Sequence, residues 1–225
     1  MKILARLLAA TLLAAASPAW AEAPAVVTSF KPLHSLVAGV MQGVGEPDVL
    51  IGSNASPHTY TMKPSNAAQL EKAKVVFWTG PGFEAFLEKP LEALAGNATA
   101  IALSQAPGVE LLDSREGGGF EEHSHGDDHG HGEEGHDHHH HEDAKDMHLW
   151  LDPNNARAMV KEIVRVLAET DPDNAKAYGE NGTALDEKLA ALDKEIAETL
   201  APVKDRPFIV FHDAYQYMEH HYGLK

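Results

Sequence analysis

The sequence predicts an α/β fold built around a parallel sheet. Short β-branched runs alternate with helical patterns through the first half of the chain, at a spacing that suits strand–helix–strand units. The chain is also long and apolar enough to bury a core, with 225 residues of which 44% are hydrophobic.

Each element has its own signal. Val26-Val27-Thr28-Ser29-Phe30 reads as a buried strand, and a helix is expected over 33–41. Asp48-Val49-Leu50-Ile51 is the second strand and runs into a polar loop over 52–64. Ser65 is a candidate N-cap for a helix through Glu71, because a serine hydroxyl can accept from the free amides of a first turn. Val75-Val76-Phe77-Trp78 is the third strand. Phe83, Phe86, Leu87, Leu91 and Leu94 then recur at helical spacing, with Pro90 expected to kink that helix. Ala100-Ile101-Ala102-Leu103 is the fourth strand. Order is expected to resume at Met147-His148-Leu149-Trp150-Leu151-Asp152-Pro153, and a helix follows that carries Val160, Ile163, Val164 and Leu167 on one face and stops at Asp171-Pro172. A longer helix is expected over 174–200, striped by Leu185, Leu189, Leu192, Ile196 and Leu200 and about 40 Å long. Arg206-Pro207 introduces a last strand, Phe208-Ile209-Val210-Phe211, and a helix over 213–222.

Composition excludes several functions. The formal charge of −16 argues against a nucleic-acid partner, whose phosphates need a basic face. Without cysteine there is no disulfide, thiolate metal site or cysteine nucleophile. No G-x-x-x-x-G-K-[ST] is present, so nucleotide hydrolysis through a P-loop is excluded. Lys2 and Arg6, the short apolar run over 7–16 and the small-x-small Ala19-Trp20-Ala21 read as a signal peptide over 1–21, with Glu22 the mature start. That run is shorter than the roughly 20 residues a spanning helix needs. A periplasmic or secreted protein is expected.

One stretch breaks the pattern. Residues 116–146 carry −10 of the charge and nine of the fifteen histidines: His123, His125, His129, His131, His136, His138, His139, His140 and His141. With no apolar face it cannot offset its ordering entropy, so a disordered loop is expected over 113–146, suited to weak capture of cations. The His138–His141 run is internal and flanked by acids, unlike an affinity tag.

Six histidines lie elsewhere, and three share a setting. His58 follows the second strand, His148 edges an apolar segment and His212 directly follows the last strand. Ligands gather at the carboxyl ends of strands in open α/β sheets, and imidazole suits zinc. Spacing alone leaves open that these are unrelated loop histidines. The tract favours a metal site, since it has no evident use except cation capture. His34 reads as a helix N-terminal residue, and His220 and His221 as surface positions.

Five motifs occur in order: Thr28-Ser29-Phe30-Lys31-Pro32, Pro57-His58-Thr59-Tyr60, Met62-Lys63-Pro64-Ser65, His148-Leu149-Trp150-Leu151-Asp152-Pro153 and Phe211-His212-Asp213-Ala214-Tyr215. With the histidine tract, they make the chain resemble the high-affinity zinc-uptake solute-binding proteins of bacterial ABC transporters, the ZnuA type. The resemblance implies two lobes joined by one long helix, with Zn2+ bound in the cleft between them by His58, His148 and His212. It implies a first lobe over 22–172, a connecting helix over 173–201 and the start of a second lobe over 202–225. A fourth ligand would be water or a carboxylate; the glutamate that some members place before the first ligand histidine is Pro57 here. The family's second lobe continues through further βα units, so this one is expected to be incomplete and the chain a fragment. Implied partners are the zinc ion and an inner-membrane ABC permease driven by a separate cytoplasmic ATPase, with the protein itself a monomer.

Three other readings compete. A manganese or iron importer could share the architecture, although three nitrogen donors suit zinc better. A free-standing zinc buffer would act through the tract alone, and deleting 116–146 would separate it from a cleft binder. A zinc hydrolase would need a general base. His141-Glu142 begins like H-E-x-x-H, but Lys145 stands where the second histidine belongs. Asp213 could act as base or orient a ligand. Catalysis is not expected.

Overall fold

Every residue of the first strand, β1 (Val26–Phe30), is buried, as a strand covered on both faces requires. The computed structural model, which describes residues 23–53, 55–115 and 145–225, shows why. β1 lies inside a sheet completed by β2 (Asp48–Ile51), β3 (Val75–Trp78) and β4 (Thr99–Ala102), in the order β2-β1-β3-β4. All three pairings are parallel, with Val27 opposite Asp48 on one side and Val76 on the other. The chain therefore leaves β1 in both directions across the sheet, and a crevice opens beyond the carboxyl ends of β1 and β3. The signal peptide expected over 1–21 and the nine tract histidines lie outside the described residues.

The helices follow the expected order with shifted starts. α1 (Lys31–Val40) has proline in its first turn and buries Leu33, Val37 and Val40, one face of a 3.6-residue period. α2 (Pro64–Lys72) begins one residue before the expected cap, so Ser65 lies inside the first turn and Lys63 takes the cap position. Proline is preset for a first helical position, and Asn66 Oδ1 accepts from the Lys63 N–H at 3.0 Å. The kinked helix expected over 83–94 is instead a 3-10 turn, Ala85–Leu87, followed by α3 (Glu88–Leu94). Pro90 thus sits in a first turn, where its missing N–H leaves no bond unmade. Residues 149–151 form a 3-10 turn, not a strand edge. It leads into α4 (Pro153–Thr170), whose cap Asp152 accepts from the Asn154 N–H at 2.7 Å.

α5 (Ala175–Leu200) is a single unbroken helix. Its first half is seated on the first lobe. A Cβ at Gly182 would stand 2.3 Å from Val164 Cγ2, so only glycine lets α4 and α5 come this close. Arg157 on α4 grips Asp186 on α5 through two bonds of 2.8 and 2.9 Å. Asn181 Nδ2 donates to the carbonyls of Val40 and Gln42. The second half projects beyond this seam, and its stripe residue Leu192 is 48% exposed.

The strand expected at 208–211 does not form. Ile209 and Phe211 are fully exposed, and no described strand pairs with the segment. β-branched sequence alone does not make a strand without a neighbouring ladder. Regular structure resumes at α6 (Gln216–Tyr222), three residues later than expected. No described helix is long and apolar enough to cross a membrane.

Candidate metal centre

His58, His148 and His212 arrive from three directions. His58 lies on the 3-10 turn Pro57–Thr59 in the loop after β2. His148 immediately precedes the turn 149–151 and is 5% exposed. His212 stands on the irregular segment before α6, with its carbonyl accepting from the Ala214 N–H at 2.9 Å. One ring nitrogen from each falls within 4.8 Å of the others, the one such group among the described residues. Their ring centroids are 5.5 to 5.9 Å apart. Nitrogen ligands at about 2.0–2.1 Å around a tetrahedral zinc stand about 3.4 Å from one another. Closure by about 1.5 Å at most would bring the three to that spacing.

His148 carries the clearest sign of a donor. Its Nδ1 lies 2.8 Å from Asp146 Oδ1, which also accepts the His148 backbone N–H at 2.9 Å. A carboxylate can only accept, so the ring proton sits on Nδ1 and the Nε2 lone pair is left available. Nε2 is buried and has no hydrogen-bond partner. A buried, unpaired imidazole nitrogen is costly unless something binds it. A divalent cation fits that nitrogen.

Aromatic rings wall the site. Phe83 packs edge-on against His58 at 5.0 Å and His148 at 5.6 Å. Trp150 lies 5.4 Å from His148, and Phe30 meets both Phe83 and Trp150. Such a shell lowers the local dielectric and excludes water from one side of the donors. Below Phe83, Glu84 is fully buried. Its carboxylate accepts from Ser29 Oγ at 2.5 Å, from the Thr79 hydroxyl and from the amides of Thr79 and Gly80. Burial pushes this carboxyl above the usual range, against the opposing pull of those bonds. Glu84 thereby joins the carboxyl ends of β1 and β3 beneath the site.

Several expectations move. The histidine- and acid-rich segment was expected to span 113–146, but both its ends are built into the fold: Asp113 bridges to Lys145, and Asp146 is buried against His148. Asp213, a candidate base or orienting group, instead pairs with Arg115 at 3.3 Å. The orienting role falls to Asp146, which charge counting assigned to the tract; the signal was an acid two residues before a candidate ligand. His34 bonds the Pro47 carbonyl at 3.1 Å and His220 is exposed. His221, expected at the surface, is half-buried and lies 2.8 Å from Asp193 on α5 and 3.5 Å from the α4 cap Asp152.

The comparisons with known proteins agree with one another. A sequence model of the family described as "ZnuA: Zinc-uptake complex component A periplasmic" matches residues 26–225. The high-affinity zinc uptake system protein ZnuA of Brucella abortus is 47% identical over 91% of this chain and 66% of its own length. The Yersinia pestis protein of the same name is 39% identical over 99% of this chain and 70% of its own length. Among solved structures, a ZnuA deletion mutant with zinc bound superposes with a TM-score of 0.74 at 28% identity, covering 90% of this chain and 68% of that one. The chain thus spans about two thirds of the length of the relatives it matches.

Proposed function

The chain belongs to the ZnuA family of periplasmic zinc-uptake components, and from that premise we propose that it binds Zn2+ in the periplasm through His58, His148 and His212 for delivery to an inner-membrane ABC permease with its own ATPase. The observation that carries this reading is the buried, unpartnered Nε2 of His148, on a ring that shares a cluster of nitrogens within 4.8 Å with two other imidazoles. Three neutral nitrogen donors favour zinc over manganese, which prefers oxygen ligands. All three donors come from one chain, so a monomer suffices. The arrangement serves capture and hand-over rather than catalysis: beside the imidazoles stand aromatic rings, and Asp146 is committed to holding His148. Acid releases the ion, because a protonated imidazole cannot ligate.

The test is zinc competition against a chromophoric chelator, using a chain from which 116–144 has been excised. The cut ends at 144 because Lys145 and Asp146 belong to the fold. One tight equivalent should survive, should weaken about a hundredfold in the same chain carrying H148A, and should resist excess Mn2+. Loss of all tight zinc on excision alone would favour the tract as a buffer.

A further inference from the structure

A buried phenol joins the C-terminal helix to the metal site. Tyr217, on α6, is 1% exposed. Its hydroxyl accepts from the Leu112 N–H at 3.0 Å and donates to the Asp146 carbonyl at 2.6 Å. The Asp146 N–H in turn donates to the Leu112 carbonyl at 2.9 Å. One hydroxyl therefore ties together the two strands of chain that flank 116–144, and one of them is the residue whose carboxylate holds the His148 ring. Burial pushes the phenol up to about 12, so it stays a donor throughout the physiological range. The other polar contacts of this region reach different partners. Gln216 bonds the Asp113 carbonyl, Glu219 and Asp213 pair with Arg115, and His221 meets Asp152 and Asp193. Asp146 is held by Tyr217 from α6.

We propose that Tyr217 is a positioning residue for the zinc site: by fixing Asp146 it holds His148 with its proton on Nδ1 and leaves its Nε2 lone pair for the ion shared with His58 and His212. This rests on the reading of those three histidines as zinc ligands. A buried hydroxyl that satisfies a backbone donor and a backbone acceptor at once would be expected merely to stabilise. Here the acceptor belongs to the residue that sets a ligand's tautomer, and partners beyond the ligand shell tune metal affinity.

The test uses the full chain labelled with 15N-histidine. Long-range 1H–15N spectra without metal report the tautomer of each ring, and the signal missing from H148A identifies His148. Zinc competition on the same samples gives the tightest equivalent. The wild-type chain should show His148 protonated on Nδ1. Tyr217→Phe, which keeps the packing and removes the hydroxyl, should mix the two tautomers and weaken the tightest zinc about fivefold, less than loss of a direct ligand partner. Gln216→Ala, which also loosens α6, should change neither. Unaltered His148 shifts and zinc binding in Y217F, with H148A losing the tight ion, would overturn the inference and leave the ligand reading standing. An equal loss in Q216A would also overturn it, since general loosening would then suffice. A wild-type His148 protonated on Nε2 overturns it without any variant having to fold. An H148A chain that keeps its tight equivalent overturns the ligand reading, and this inference with it.

Discussion

Val75-Val76-Phe77 and Ile209-Val210-Phe211 are nearly the same tripeptide with opposite fates. The first lies in β3 between β1 and β4, and all three residues are wholly buried. The second is irregular, and its Ile and Phe side chains stand fully in solvent. Local preference is shared; among the described residues, ladder partners are not. The contrast extends to the site. His148 is buried and held twice by one carboxylate, whereas His212 is exposed and sits on the segment without a ladder.

The largest expected difference is in stability. Phe77→Ala should cost about 3–5 kcal/mol, the range for emptying a core aromatic site, while Phe211→Ala should stay within about 0.5 kcal/mol. Urea unfolding of the two variants measures both, and a comparable loss at Phe211 would break the contrast. Zinc affinity should separate the histidines next. H148A should weaken the tight site about a hundredfold, or about 2.8 kcal/mol. H212A should cost about tenfold, because part of that ligand's binding energy goes into ordering its segment. Chelator competition on the tract-excised chain compares them, and equal losses would show that anchoring is irrelevant. Asp146→Asn keeps the shape but weakens the grip on Nδ1, and should lower affinity about tenfold; an unchanged titration would reassign Asp146 to packing alone.

The smallest effect lies at the α4–α5 seam. The hydrogen bond from Arg157 holds the Asp186 carboxyl below the usual carboxylate range. Its folded value is thus lower than its unfolded value near 3.9. The stabilisation is complete above that unfolded value and fades as pH falls through the lower folded one. Asp186→Asn should therefore cost about 0.2–1 kcal/mol at neutral pH, and the gap from wild type should shrink in melts below about pH 3.

Much of the fold was legible because the first lobe obeys local rules. Its four strands begin within a residue of where β-branched runs put them, and α5 follows its leucine stripe. What was not legible depended on partners absent from local sequence. The 208–211 strand was inferred from composition, which is silent about neighbours. Asp146 was hidden by its company, since counting charge lumps it with the tract although its carboxylate faces inward to His148. Pro90 misled for a related reason: a proline that kinks a helix interior is harmless in a first turn, and only the start of α3 decides between them. Of the site, the three histidines could be named from motifs, but their approach to within 4.8 Å and the aromatic wall behind them are properties of the folded chain.

The tight seat of Gly182 against Val164 has a mechanical consequence. With α5 also gripped at Asp186 by Arg157, the 14 residues that follow Asp186 up to Leu200 form a lever arm about 21 Å long. A pivot of only about 5° at the clamp would swing its tip by about 2 Å, a little more than the travel that separates the three imidazoles from tetrahedral spacing. Filling the notch by Gly182→Ala would shift the fulcrum, and a mutation remote from all three imidazoles would thereby alter their spacing.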